Sequence, residues 1–339
     1  MNLIKDRVLA LEKLGLYFQN IKAGNSKYQN FFECLENAKQ HNAWFQLDQC
    51  LVAFKAWGDS LSKEKINKWI TSYHLKETQE QKTIAVIMAG NIPLVGLHDL
   101  ISIWISGDIA LVKCASKDQI LMPFIANLDP VFKSSTIFTT RKLDGFDAVI
   151  ATGGNNAARY FDYYFSKYPH IIRKNRNGVA VLTGNESKEE YEALGKDILQ
   201  YYGMGCRNVS KLYVPKGFDL NLVFGGVYPL ASVLNVNKYA NNYDYNKAVF
   251  LMSEFDFIEN GFFMIKKDNG ISSPIACAFY EHYENIETLE KKLDTLEEQI
   301  QCLVSTIPLK NAIPFGRTQQ PQLWDYADGI DTMTFLIDL

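Results

Sequence analysis

The 339-residue sequence has little excess charge of either sign: 35 Lys and Arg stand against 38 Asp and Glu, for a formal net charge of −3. A basic footprint for nucleic acid is therefore missing. No apolar run approaches the ~20 residues that a membrane-spanning helix needs, so no membrane span is expected. The five histidines are isolated, and no pair has metal-ligand spacing, so no metal site is expected either. Six cysteines (Cys34, Cys50, Cys114, Cys206, Cys277 and Cys302) show no CxxC spacing. The stretch Met1 to Asp6 lacks a signal-peptide pattern, because charge recurs every few residues. Reduced thiols and a cytoplasmic location follow as expectations. Also missing are a GxGxxG fingerprint, internal repeats and low-complexity linkers.

Apolar and aromatic side chains are plentiful. Hydrophobic residues make up 47% and aromatic residues 13% of the chain, which supports a sizeable core and argues against disorder. The length suits two domains or one large one. Phosphate-bearing small molecules stay open as ligands, since backbone amides bind them without a global positive charge.

Up to about residue 75 the pattern is helical: Leu9, Leu11, Leu14 and Leu16, then Phe31, Phe32 and Leu35, then Phe45, Leu47, Leu51 and Phe54 recur at helix-like spacing. From there strands and helices alternate. Strands are predicted at Thr83–Met88, Ile109–Lys113, Ala148–Ala151 and Val179–Thr183. Helices are predicted at Leu97–Ser106, Gln119–Leu128 and Asn155–Lys167. Continuous β-branched strands separated by helices imply a parallel sheet covered on both faces, which binds ligands at the carboxyl ends of its strands. A second αβ stretch holds the helix Glu189–Tyr202, the strand Lys211–Val214, an Asn/Tyr-rich helix at 237–247, the strand Phe262–Ile265 and the helix Glu284–Gln299. Thr332–Ile337 reads as a final strand.

Four constellations carry chemistry. The strand ending at Met88 runs into the turn Gly90-Asn91-Ile92-Pro93, where Asn91 is either an amide donor at the sheet edge or a polar residue ending a strand. The strand Ile109–Lys113 ends in a lysine, which either holds a ribose hydroxyl or phosphate or simply reaches solvent. Thr152-Gly153-Gly154-Asn155 opens a helix, with Asn155 as its expected N-cap, and amides at a helix start suit a pyrophosphate. Gly203-Met204-Gly205-Cys206-Arg207 sets a cysteine behind two glycines just before a strand. Glycine permits close approach of an acceptor, although the bland alternative for any single cysteine is a buried small side chain. No base adjoins Cys206 in sequence, so its thiolate would lean on local dipoles, Arg207 or the charge of a bound cofactor.

In this order and spacing the four pieces resemble the aldehyde dehydrogenase superfamily. Within it the sequence is most similar to LuxC-type acyl-CoA reductases, the fatty-acid reductase component of bacterial bioluminescence. Gly90-Asn91-Ile92-Pro93, Gly203 to Ser210 and Gly316-Arg317-Thr318-Gln319-Gln320-Pro321-Gln322-Leu323 carry the likeness, which covers residues 80–339. It implies that Cys206 is the nucleophile taking an acyl group from a thioester, and that Asn91 and the Cys206 amide form an oxyanion hole. It further implies that Lys113 reaches the adenine ribose and that Gly153 and Gly154 lie against the pyrophosphate. Hydrolytic aldehyde dehydrogenases place a water-activating glutamate in a Glu-Leu-Gly-Gly motif. The matching stretch here, Arg173 to Gly178, has no carboxylate, which favours thioester exchange over hydrolysis. NAD-selective members also carry a glutamate three residues after the ribose-binding lysine. Ser116 stands there in this chain and Lys117 follows, so NADPH is the expected cofactor.

The expected fold is α/β and aldehyde-dehydrogenase-like. A helical N-terminus and parallel-sheet dinucleotide domain would span residues 1–178, a smaller αβ catalytic domain 179–303, and a tail returning to a sheet 304–339. The expected reaction is reduction of an acyl thioester, from acyl-CoA or an acylated partner protein, to an aldehyde, with homo-oligomerisation left open. An aldehyde dehydrogenase, an acyl-phosphate reductase and a non-reducing acyl carrier of a synthetase complex are the alternatives.

Overall fold

A computed structural model describes residues 3–77 and 80–339. Met1 and Asn2, part of the stretch Met1 to Asp6, lie outside them. The chain forms two compact units, residues 1–174 with 322–339, and residues 175–321.

In the first unit, helices α1 (Ile4–Gln19), α2 (Gln29–His41), α3 (Leu47–Ser60) and α4 (Lys63–Ile70) come first. Leu11, Leu14 and Phe18 form the buried stripe of α1, whereas Leu9 and Leu16 fall on its outer face. The Phe31 ring meets Phe54 edge to face at 4.8 Å, and Phe18 meets Phe54 at 4.9 Å. Such pairs add about 1 kcal/mol each beyond the area they bury.

Next come β1 (Thr83–Ile87), α5 (Leu97–Ser106), β2 (Ile109–Lys113), α6 (Leu121–Ala126), α7 (Pro130–Ser134), β3 (Thr136–Phe138), β4 (Ala148–Thr152), α8 (Asn155–Phe165) and β5 (His170–Arg173). The five strands form one sheet in the order β3-β2-β1-β4-β5, and every pairing is parallel. Ile84, Ala85, Val86 and Ala148 to Ala151 are fully buried, as strands covered on both faces must be. Helix α5 is apolar almost all round and buried along most of its length, the pattern of a core helix. The chain leaves β1 toward β2 and β3, then returns to the other side of β1 for β4 and β5. The switch point of the sheet therefore lies between β1 and β4, where open α/β sheets bind ligands.

The second unit contains β6 (Asn177–Val181), α9 (Lys188–Leu199), β7 (Val209–Pro215), α10 (Asn221–Val227), α11 (Asn237–Met252), β8 (Phe257–Glu259), β9 (Met264–Lys267), β10 (Cys277–Tyr283), α12 (Ile286–Thr295), β11 (Ile300–Ser305) and β12 (Ala312–Ile313). Its seven-stranded sheet runs β12-β11-β6-β7-β10-β9-β8. Only the β8–β9 pairing is antiparallel. Val179, Val181, Tyr213 and Leu303 pack with Leu289 and Leu293 of α12 into one core.

The tail is shared between the units. Through Pro321 it belongs to the second, where β12 pairs with β11. Beyond Pro321 it belongs to the first. Thr332–Ile337, expected as a strand, is instead helix α13. Asp331 caps it by accepting from the Thr334 amide at 2.9 Å, and Thr332, Met333 and Leu336 are buried. Met333 and Leu336 share a face only at helical spacing, so the tertiary environment selects the helix over the β-branched pattern. Among the described residues, no helix is long and apolar enough to cross a membrane.

Candidate active site

In the first unit, three adjacent strands lead to the predicted oxyanion donor Asn91 and the predicted cofactor residues. After β1 the chain enters Gly90-Asn91-Ile92-Pro93, with Asn91 exposed. Leu94, buried at the end of this turn, has φ +61°, a left-handed conformation uncommon for a bulky residue and most frequent at functional loops. Gly90 is required here: a β-carbon would come within 2.8 Å of the Ala115 side chain and 3.1 Å of the Asp118 side chain. The loops after β1 and β2 therefore touch. Asn42, on the segment after α2, secures the contact: it is buried, its amide donates to the Gly90 carbonyl at 3.2 Å, and its carbonyl accepts from the Trp44 amide at 3.1 Å.

Lys113 is the last residue of β2 and is half-buried. Ser116 and Lys117 occupy the exposed tip of a turn closed by the Asp118 amide donating to the Ala115 carbonyl at 3.0 Å. Asp118 is buried beneath that turn, and burial pushes its carboxyl up to about 7 despite backbone amides donating to it from Leu121 and Ile120. Cys114 is half-buried and its thiol is pushed up to about 12, chiefly by burial, which makes it a poor nucleophile.

After β4, Gly153 donates to the Arg173 carbonyl at 3.3 Å. The N-cap of α8 is Gly154, one residue before the expected Asn155, and no side chain caps it. Gly154 is exposed and a β-carbon there would meet nothing within 4 Å. A helix start with no side-chain cap and an unobstructed approach fits an anionic pyrophosphate. Asn91, Lys113, Ser116, Gly153 and Gly154 thus share one edge, around the switch point. Cys206 belongs to the second unit.

Cys206 stands in the turn Gly205–Asn208 that leads into β7, closed by the Asn208 amide donating to the Gly205 carbonyl at 3.0 Å. The thiol is half-buried. Before it, Tyr201, Tyr202 and Gly203 have φ of +51°, +60° and +75°. Both tyrosine rings are buried, so packing holds a left-handed run that isolated residues avoid.

The turn is tied down on several sides. Gly178 donates to the Asn208 carbonyl at 3.0 Å, and a β-carbon on Gly178 would lie 2.7 Å from the Arg207 and Asn208 carbonyl oxygens. Cys302 Sγ lies 3.4 Å from the Arg207 carbonyl oxygen, and its thiol is pushed up to about 12 by burial. The Arg207 guanidinium donates from Nε to the Thr318 carbonyl. Thr318 in turn donates to buried Asp197 of α9 from its amide at 3.1 Å and its hydroxyl at 2.7 Å, and the Gly316 amide donates to the same carboxylate at 2.6 Å. Burial raises the Asp197 pKa, and those bonds and the Arg207 charge oppose the rise.

The expected catalytic residues give no hint of Asn42, Gly178, Asp197 or Thr318. The tail motif Gly316-Arg317-Thr318 was the available signal for a partner of the cysteine turn, but its acceptor lies 121 residues away in sequence.

No family model matches the chain, and no curated protein matches it in sequence. Solved structures do. The indole-3-acetaldehyde dehydrogenase AldA of P. syringae, in complex with NAD+, superposes with a TM-score of 0.63 at 13% identity, covering 92% of this chain and 74% of that one. An NAD-dependent aldehyde dehydrogenase of Sinorhizobium meliloti gives 0.62 at 8% identity, with 90% and 71% covered. An aldehyde dehydrogenase of Mycobacterium tuberculosis complexed with NAD+ gives 0.59 at 11%, with 86% and 70% covered. The chain has the fold of the aldehyde dehydrogenases.

Proposed function

We propose that this protein reduces an acyl thioester to an aldehyde with NADPH, carrying the acyl group on Cys206. Aldehyde-dehydrogenase-type chemistry is the coarser reading that the fold supports. The observation that favours the finer one is the stretch Arg173 to Gly178, where hydrolytic members of the resembled superfamily carry their water-activating glutamate. In this chain it holds cations engaged elsewhere. Arg173 donates to Asp99 at 2.7 Å and to the Thr332 hydroxyl at 3.0 Å, and Arg176 donates to the carbonyls of Glu297 and Ile300 at 3.4 Å. Neither can take a proton from water.

The Cys206 thiolate attacks the thioester carbonyl, the carbon–sulfur bond to the donor breaks, and the donor leaves as a thiolate that takes a proton. The resemblance implies Asn91 and the Cys206 amide as the oxyanion donors. NADPH, when bound, would supply the hydride for reduction of the acyl-cysteine carbonyl. The resulting thiohemiacetal collapses to aldehyde and returns the electron pair to Cys206 sulfur. Lys113, Ser116 and the Gly153–Gly154 turn would hold the cofactor by its ribose and phosphates. Acyl-CoA or an acylated partner protein is the donor.

Protein, acyl-CoA and NADPH are mixed and the loss of reduced-nicotinamide absorbance is followed. Acyl-CoA-dependent oxidation, abolished in a folded Cys206→Ser variant, is expected. Acylation of Cys206 without cofactor oxidation would favour the acyl-carrier role, and oxidation of added aldehyde to acid would favour a hydrolytic dehydrogenase.

A further inference from the structure

We propose that Asn208 is the positioning residue of the nucleophile turn, an inference that rests on Cys206 being the reacting thiol. The Asn208 side chain is buried and uses both ends. Its Oδ1 accepts from the Gly205 amide at 2.8 Å. Its Nδ2 donates to three carbonyls where α9 ends: Asp197 at 3.1 Å, Ile198 at 3.2 Å and Gln200 at 2.8 Å. A helix C-terminus leaves carbonyls without intrahelical donors, and the left-handed exit through Tyr201 to Gly203 turns the chain away from them. Asn208 supplies a side-chain donor to them.

Those contacts lock Gly205 and Asn208 from both directions, since the Asn208 amide also returns to the Gly205 carbonyl. Cys206 and Arg207 are the two residues between these anchors, so Asn208 fixes both ends of the segment that carries the thiol. Few side chains meet the requirement. Aspartate has the acceptor but, when ionised, no donor for the carbonyls. Leucine has neither, and glutamine is one methylene too long for the space.

Purified full-length Asn208→Ala and the isosteric Asn208→Asp are compared with wild type. The readouts are kcat and KM with acyl-CoA and NADPH, circular dichroism, and the rate of iodoacetamide labelling at Cys206 read by peptide mass spectrometry. Folded variants should lose about 10- to 100-fold in kcat, as misplacement of a reacting group by about 1 Å costs. Their KM for NADPH should stay within about twofold, and Cys206 labelling should change by at least about fivefold. Wild-type kcat and labelling rate in either folded variant would overturn the proposal. Hydrogen exchange on wild-type protein adds a test that needs no variant: strong protection of the Gly205 amide is expected, and rapid exchange overturns the assignment. Labelling and exchange need no turnover, so they decide the role of Asn208 even if acyl-CoA proves not to be a substrate.

Discussion

An oxyanion donor earns its place by stabilising charge that develops only in the transition state. Asn91 is exposed at the carboxyl end of β1, on a loop whose Gly90 is pinned by Asn42 and whose Leu94 is left-handed. Asn91→Ala should lower kcat by about 10²–10³, the usual effect of removing one such donor, with a smaller effect on acyl-CoA affinity. Wild-type turnover would reduce Asn91 to a strand terminator. Cofactor choice is also a single-residue matter. Ser116 and Lys117 sit together at the exposed tip of the turn after β2, where a neutral donor and a cation are expected to favour a 2′-phosphate through a Coulomb attraction that solvent and salt partly screen. Higher kcat/KM with NADPH than with NADH is expected, and Ser116→Glu should move the preference toward NADH. Equal efficiency with both cofactors in the wild type would refute the assignment.

At the scale of elements, the cysteine turn depends on a segment far along the chain. Gly316 and Thr318 are bound by Asp197 of α9, and Thr318 accepts from Arg207 beside Cys206, the proposed nucleophile. Asp197→Ala removes the acceptor of two backbone amides and a hydroxyl in a buried setting. Its expected cost is about 2–4 kcal/mol, since each buried donor left unsatisfied carries its own desolvation penalty. Urea unfolding measures it, and a change below about 0.5 kcal/mol, typical of an uninvolved surface site, would show that other contacts hold the tail. Most elements were legible beforehand. Leu97–Ser106 and Ile109–Lys113 form the predicted helix and strand with the expected bounds, because a mostly apolar helix ending before Gly107 and an apolar run followed by Lys are strong local patterns. Helix α13 was not legible, because Thr332-Met333-Thr334-Phe335-Leu336-Ile337 satisfies the strand pattern locally and only its packing selects the helix. Asn208 was overlooked for a related reason. Its three carbonyl partners lie 8 to 11 residues back, and they become neighbours only through a left-handed run at Tyr201 and Tyr202 that no propensity suggests.

For the whole molecule, stability should depend on pH through opposed groups. Burial pushes Asp118 up to about 7, so the folded chain keeps a proton that the unfolded chain releases in the ordinary carboxylate range. The unfolded state binds fewer protons in that window, so this contribution is complete below the ordinary range and is lost as pH rises to about 7, with a slope of at most about 1.4 kcal/mol per pH unit. Glu259 runs the other way: Lys247 and Tyr243 hold its carboxyl down to about 2, a contribution present above the ordinary range and lost as pH falls. Burial lowers the His98 pKa and so opposes the Asp118 trend over part of the same window. Urea unfolding between about pH 5 and 8 should therefore show a more positive slope in Asp118→Asn than in wild type, and an unchanged slope in that variant would remove Asp118 as a contributor. The sequence by itself determined the alternation of buried strands and helices, the order of the chemistry-bearing turns and the placing of Asn91, Lys113, Gly153 and Gly154 at strand ends, since these follow from periodicity and turn chemistry over a few residues. Tertiary structure alone decided that β1 lies between β2 and β4, that the tail is divided between two units, and that Asn208, Gly178, Cys302 and the Asp197–Thr318 pair converge on the cysteine turn. Strand pairing and buried hydrogen bonds are chosen by the free energy of satisfying all buried groups at once, and no local window of sequence contains that sum.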